Sequence, residues 1–308
     1  MKKFAIALLP LTFAVPAVAQ MRITEWQYSG DEFIEFTNLG TTSVDMTGWS
    51  FDDDSRLAGT VDLSAFGVVA PGASVILCES TAAGFAAAWS LSGIAVIGDN
   101  TSNLGRNDEI NLYDAAGNLV DRLAYGDGNF PGAIRAQNAG GLPCDAAVGA
   151  NDAYGWSLAY VGDHRGSVAS SGGFVGNPGI HVSVDARFLT YGSGCPGTGG
   201  VSPQLNARGC PTIGGFAILD AANGAASAPA FLVYGAARSA TPFGNCLIQV
   251  QPVLAAVPFA LDVSGSASLS LSIPRALAAG SLTTQFLALD AGAVDGFTLS
   301  SGLELQIR

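Results

Sequence analysis

Between Glu32 and Asp52 the chain runs Glu32-Phe33-Ile34-Glu35-Phe36-Thr37-Asn38-Leu39-Gly40 and, after a short gap, Gly48-Trp49-Ser50-Phe51-Asp52. Phe33 and Phe36 bracket a strand-like stretch, and Asn38 and Gly40 tolerate the left-handed conformation that a turn needs. Met46 and Trp49 then resume a second strand with one buried face. This pattern predicts a hairpin-like corner of a β-sandwich. It holds no catalytic residue, so it constrains the fold and leaves function open.

The rest of the chain agrees with an all-β reading. Forty glycines, few charges and the lack of any long stretch with 3.6-residue apolar spacing predict short strands. The length suits two domains, each large enough to bury its own core. Only Phe85 to Trp89 suggests a helix, and an alanine-rich run that short is marginal unless something packs on it.

Met1 to Ala19 reads as a cleaved export signal: Lys2 and Lys3 form the charged start, Phe4 to Phe13 the apolar middle, and Ala17-Val18-Ala19 the small-residue cleavage site. Pro10 and Pro16 interrupt the apolar run, which falls short of the roughly 20 residues a membrane span needs. Beyond Ala19 every basic residue is one of 11 arginines, against 25 acidic residues, a net charge near −14. Such a chain repels nucleic-acid phosphates and anionic lipid heads, so neither nucleic acid nor insertion into a membrane after signal removal is expected.

The Glu32–Asp52 corner closely resembles the opening of the lamin tail domain, an immunoglobulin-like sandwich of nuclear lamins and many secreted bacterial proteins. Val68-Val69-Ala70-Pro71-Gly72-Ala73-Ser74-Val75-Ile76-Leu77 is similar to the proline-glycine turn and strand of that family. Asn103 to Asp114 followed by Gly117 to Tyr125 is similar to its best-marked strand pair, with Asp114 and Gly117 turning the chain between them. Gly155-Trp156-Ser157-Leu158 through Gly176-Asn177-Pro178-Gly179 resembles its last strand and closing turn. The resemblance runs from about residue 22 to 182 and implies an immunoglobulin-like β-sandwich.

A second unit opens at Tyr191-Gly192-Ser193-Gly194-Cys195-Pro196-Gly197. Strands are expected at Phe216 to Asp220, Phe231 to Tyr234, Leu247 to Val250, Phe259 to Val263, Ala267 to Ile273, Leu282 to Leu289 and Leu303 to Ile307, a second sandwich. This stretch resembles an uncharacterised C-terminal module repeated across large bacterial secretomes, a likeness that implies no activity. The expected organisation is thus a signal peptide at 1–19, a lamin-tail-like sandwich at 20–182, a linker at 183–190 and a second sandwich at 191–308.

Five cysteines in an exported chain without Cys-x-x-Cys spacing favour disulfides over metal. The resemblance of the C-terminal module suggests Cys195 to Cys246, which closes about 50 residues and on the chain-entropy model stabilises by ~4 kcal/mol. Cys210 is the odd member and competes for Cys195. Cys78 and Cys144 are then left for one another, although sequence does not fix connectivity.

His164 and His181 are the only histidines, which limits acid–base and zinc chemistry. Asp163-His164 invites a Ser-His-Asp triad, but there is no Gly-x-Ser-x-Gly elbow and adjacent side chains on an extended chain point apart. Asp52-Asp53-Asp54 is the strongest acidic cluster and the one calcium candidate, yet it lacks the Asp-x-Asp-x-Asp-Gly loop pattern and reads better as a solvated turn. Trp26, Trp49, Trp89 and Trp156 raise a carbohydrate platform, with core packing favoured for Trp49 and Trp156. The Gly192–Gly200 segment and the Gly214-Gly215 turn are not phosphate loops, because no Gly-Lys-Ser/Thr follows.

The expectation is therefore a non-enzymatic exported protein without cofactor, secreted or at the cell surface, acting through contacts with a protein or a cell-surface component. The alternatives are a calcium-dependent accessory to exported hydrolases, or a C-terminal module that serves as a secretion or sorting signal.

Overall fold

The computed structural model describes residues 21–308; the export signal expected at Met1 to Ala19 lies outside the described residues. Met21–Gln27 sits inside a six-stranded sheet. On one side it pairs with Phe33–Asn38, then Ser74–Cys78 and Ala95–Ile97; on the other with Gly141–Pro143, then Trp156–Leu158. A four-stranded sheet of Leu119–Tyr125, Asp108–Tyr113, Ser50–Asp52 and Val61–Asp62 faces it. Pairing is antiparallel except where Ser74–Cys78 meets Ala95–Ile97. Trp26, Phe36, Phe51, Ile110, Leu112, Leu123, Tyr125 and Trp156 fill the space between the sheets. The Trp26 and Tyr125 rings lie 3.8 Å apart by centroid.

The Glu32–Asp52 corner crosses between the two sheets: Phe33–Asn38 belongs to the larger and Ser50–Asp52 to the smaller. The Asn38 side chain holds the crossing, accepting from the Gly40 amide at 3.0 Å and donating to the Thr42 and Val69 carbonyls. The turn after Asp108–Tyr113 forms as its residues require. Asp114 accepts from the Ala116 and Asn118 amides, and Gly117 takes a φ of 77°.

All six residues of Phe33–Asn38 are buried because both faces of the strand are covered. Ile34 and Phe36 point into the sandwich core. Phe33 points the other way and packs on Phe85 and Trp89. Those two come from the helix Ala82–Ala88 and its C-terminal cap; Thr81 caps the start by accepting from the Gly84 amide. Phe85 supplies the packing that the short alanine-rich helix lacks on its own.

The second half has a five-stranded sheet, ordered Arg187–Tyr191, Phe297–Ile307, Gly280–Leu289, Pro229–Phe243, Cys246–Ala260. A three-stranded sheet of Gln204–Cys210, Phe216–Ala222 and Ala267–Ser272 accompanies it. Leu205, Leu219, Leu232, Phe286 and Leu305 are in the core. Two details depart from expectation. In place of the strands expected at Leu247 to Val250 and Phe259 to Val263 there is one 15-residue strand, Cys246–Ala260, paired along an equally long partner, Pro229–Phe243, with two shifts of register. The segment 183–190, expected as a linker, contains the strand Arg187–Tyr191 paired along Phe297–Ile307, with Val184 and Ala186 buried just before it. Among the described residues, no strand ladder joins the chain before residue 177 to the chain after residue 186.

Candidate functional site

The strands Met21–Gln27 and Phe33–Asn38 carry, beside Phe33 on the face turned away from the sandwich core, a cluster of buried polar side chains. Glu25 and Glu35 are direct cross-strand partners, and each is at most 1% exposed. The Glu35 carboxylate accepts from the hydroxyls of Thr24 at 2.5 Å and Thr37 at 3.3 Å, and from the Gly179 amide at 2.6 Å. Thr37 in turn bonds Ser74 at 2.7 Å. The Glu25 carboxylate accepts from the Asn177 amide at 3.2 and 3.3 Å. Both carboxyls are pushed above the ordinary carboxylate range, first by burial and, for Glu25, next by the charge of Glu35.

The turn that covers this layer is fitted to it. A Cβ at Gly140 or at Gly176 would collide with a Glu25 carboxylate oxygen, so only glycine leaves room there. Arg165 approaches from the 160–167 turn, buried, with its guanidinium donating to Ser157 Oγ and the Pro143 carbonyl, both at 2.7 Å, and to neither glutamate. Burial lowers Arg165 to about 10. Asp163 holds the same turn by accepting from the Arg165 and Ser167 amides, each at 3.0 Å, and from the Ser167 hydroxyl at 2.7 Å.

The residues singled out from sequence lie elsewhere. Asp163 is buried and His164 exposed, so the adjacent pair points apart and assembles no triad. His181 lines a shallow cleft of about 280 Å³ with Arg22, Leu39, Asp145, Val148 and Ser183; there the Ser183 hydroxyl donates to Asp145 at 2.7 Å. Burial lowers both imidazoles below their ordinary value. The three aspartates diverge. Asp52 is fully buried, accepting from the Ser55 hydroxyl and the Leu57 amide, while Asp53 accepts from the Ser55 amide at 3.3 Å and Asp54 is exposed. Among the described residues no three His, Cys, Asp or Glu side chains are grouped to hold a metal ion. All four tryptophans are buried, so none offers a flat face to a sugar.

Of the two expected cysteine pairs, one forms and the other does not. Cys195 is joined to Cys246, and Cys144 is joined to Cys210 across 66 positions. Cys78 is a free, buried thiol raised to about 11 by burial. The expected Cys78–Cys144 pair is therefore corrected. Cys78 ends a strand on the helix-covered face beside Phe33 and Phe85, whereas Cys144 sits with Val184, Ala186 and Cys210 where the two halves meet. Two further contacts reinforce that junction: the Arg208 guanidinium lies 4.3 Å from the Tyr154 ring centroid and that of Arg275 4.2 Å from Tyr160.

The first half is thus an immunoglobulin-like sandwich with one outer face sealed by a helix and a closing turn. Residues 14–127 match the family model described as Lamin Tail Domain, and the chain carries a lamin tail domain there. Gly141–Pro143 and Trp156–Leu158 complete the same sheet beyond the matched residues. Domains of this family are typically non-enzymatic. No curated protein matches the chain.

Proposed function

We propose that this protein is a non-enzymatic, exported binding or structural module. Its lamin tail domain contacts a protein or cell-surface component, and its C-terminal sandwich supports display or assembly. The observation that carries this reading is the Cys144–Cys210 bond. A buried disulfide between the two halves suits a protein that must hold a fixed shape in an oxidising compartment, where such bonds persist. No helix among the described residues is long and apolar enough to cross a membrane, and the two disulfides are compatible with export. We further propose a division into 20–182 and 187–308, with 183–186 as the junction.

Fractionating a culture that produces the tagged full chain tests the reading. Intact mass should show material lacking Met1 to Ala19, with both disulfides formed, in the medium or surface fraction. Biotinylated purified protein should bind whole cells of the producing culture saturably, and protease shaving of those cells should abolish the binding. Cytoplasmic protein with reduced cysteines would refute export, and non-saturable binding would refute the contact role.

A further inference from the structure

We propose that Glu25 and Glu35 form a proton-gated latch: while the pair holds a proton it clamps the closing turn Asn177–Gly179 onto the sheet, and loss of that proton as pH rises releases the turn. Two acidic residues stand directly opposite each other on adjacent strands, an arrangement that destabilises a sheet when both are charged. Water does not dilute the repulsion, because both side chains are fully buried. Neither glutamate belongs to an ion pair among the described residues: the Arg165 guanidinium bonds Ser157 and Pro143 and leaves its Nε without a partner, and its charge acts on Glu25 less than burial and the Glu35 charge do. A pair of buried carboxyls in that setting retains a proton well past the ordinary carboxylate range.

What the pair holds is specific. Besides the Thr24 and Thr37 hydroxyls, its partners are the main-chain amides of Asn177 and Gly179. Those amides lie on the closing turn, which leads through His181 to the buried junction residues Val184 and Ala186. The cheapest way to hydrate a doubly ionised pair is to lift this lid and leave the strands beneath paired.

The other groups facing the pair do not obscure the gate. Asp163 and Arg165 of the 160–167 turn act on Glu25 in opposite senses, and Arg165 keeps its charge to about 10. The strand Ser74–Cys78 contributes the Ser74 hydroxyl, and the helix Ala82–Ala88 has no charged residue, contributing Trp89 from its cap. His164 and His181 lie below the ordinary imidazole value, so both are neutral throughout the alkaline range.

Amide hydrogen exchange over residues 175–184 tests the latch, corrected for intrinsic rates, from about pH 5 to pH 9, in the full chain and in Glu25→Gln. Protection of the Asn177 and Gly179 amides in the wild-type chain should fall at least about tenfold across that range, with little change in the Phe33–Asn38 amides, and Glu25→Gln should keep it. Should Glu25→Gln fail to fold, carbon NMR titration of the glutamate carboxyls in the wild-type chain decides. Glu25 and Glu35 must then titrate together, above the ordinary carboxylate range. Loss of protection equal in both chains, constant wild-type protection, or two carboxyls titrating at ordinary values would overturn the proposal.

Discussion

Replacing both Cys144 and Cys210 by alanine separates the two halves of this protein without touching either core. The bond closes a 66-position loop, and chain entropy assigns about 4 kcal/mol to such a closure. Both sulfurs are buried beside Val184 and Ala186, so alanine leaves no polar group stranded and adds only a small cavity cost. For a chain of this size the loss corresponds to roughly 8–16 °C in Tm. The tryptophans make the assay selective, because Trp26, Trp49, Trp89 and Trp156 all lie in the first half. Tryptophan fluorescence therefore follows that half alone, while far-UV circular dichroism follows both. In the wild-type chain the two signals should share one midpoint in guanidinium chloride; in the double variant the fluorescence midpoint should drop and part from the dichroism curve. Coincident midpoints in the double variant, with less than about 1 kcal/mol lost, would refute the view that this bond couples the halves.

Features set by neighbours in sequence were legible: a strand through Phe33 and Phe36, the Asp114–Gly117 turn, the short strands between glycines in the first half. Features set by how layers meet were not. Glu25 and Glu35 sit in strand segments of an antiparallel sheet, and such a sheet usually leaves one face in water, so an acidic residue there reads as solvated. Only the helix and the closing turn, which seal the outer face, turn them into a buried pair. The one available signal was the run of apolar neighbours around Glu35, too dense for a strand with a wet face. Cys195–Cys246 formed as expected, but the Cys78–Cys144 pairing failed for a related reason: Cys144 meets Cys210 because strand Gly141–Pro143 ends at the junction, a fact of packing between halves. The sequence argued against pairing Asp163 with His164 but did not show what Asp163 does, which is to knot its own loop through Arg165 and Ser167. Cys246–Ala260 looked like two strands because Pro252 and Pro258 interrupt it. As an edge strand it tolerates proline, because only one of its two sides pairs within the sheet.

Trp49→Ala, emptying a site only 7% exposed, should cost about 3–5 kcal/mol in denaturant unfolding; an unchanged midpoint would place that indole outside the core. Millimolar calcium should leave the melting temperature unmoved, and Asp53→Asn with Asp54→Asn should change nothing further, because the three carboxylates diverge; a saturable rise lost in the variant would restore the accessory reading. Pro258→Val should promote self-association in sedimentation, since it restores a strand donor on an edge already exposing Val253, Leu254 and Val257; a variant as monodisperse as wild type would show the edge is guarded by something other than proline. Glu32 gives the sharpest pH test. Its carboxylate accepts from the Leu104 amide at 2.7 Å, yet burial outweighs that bond and, with the charges of Glu79 and Asp108, raises it to about 7. The folded chain therefore holds a proton that the unfolded chain releases near 4.5, so this contribution is fully present below about pH 4.5 and is lost as pH rises through about 7. Glu32→Gln carries no such term, and its stability relative to wild type should climb between those two values and level off above them. A difference that stays constant across the whole range would mean that water reaches Glu32 and that the Leu104 contact does not seal the site.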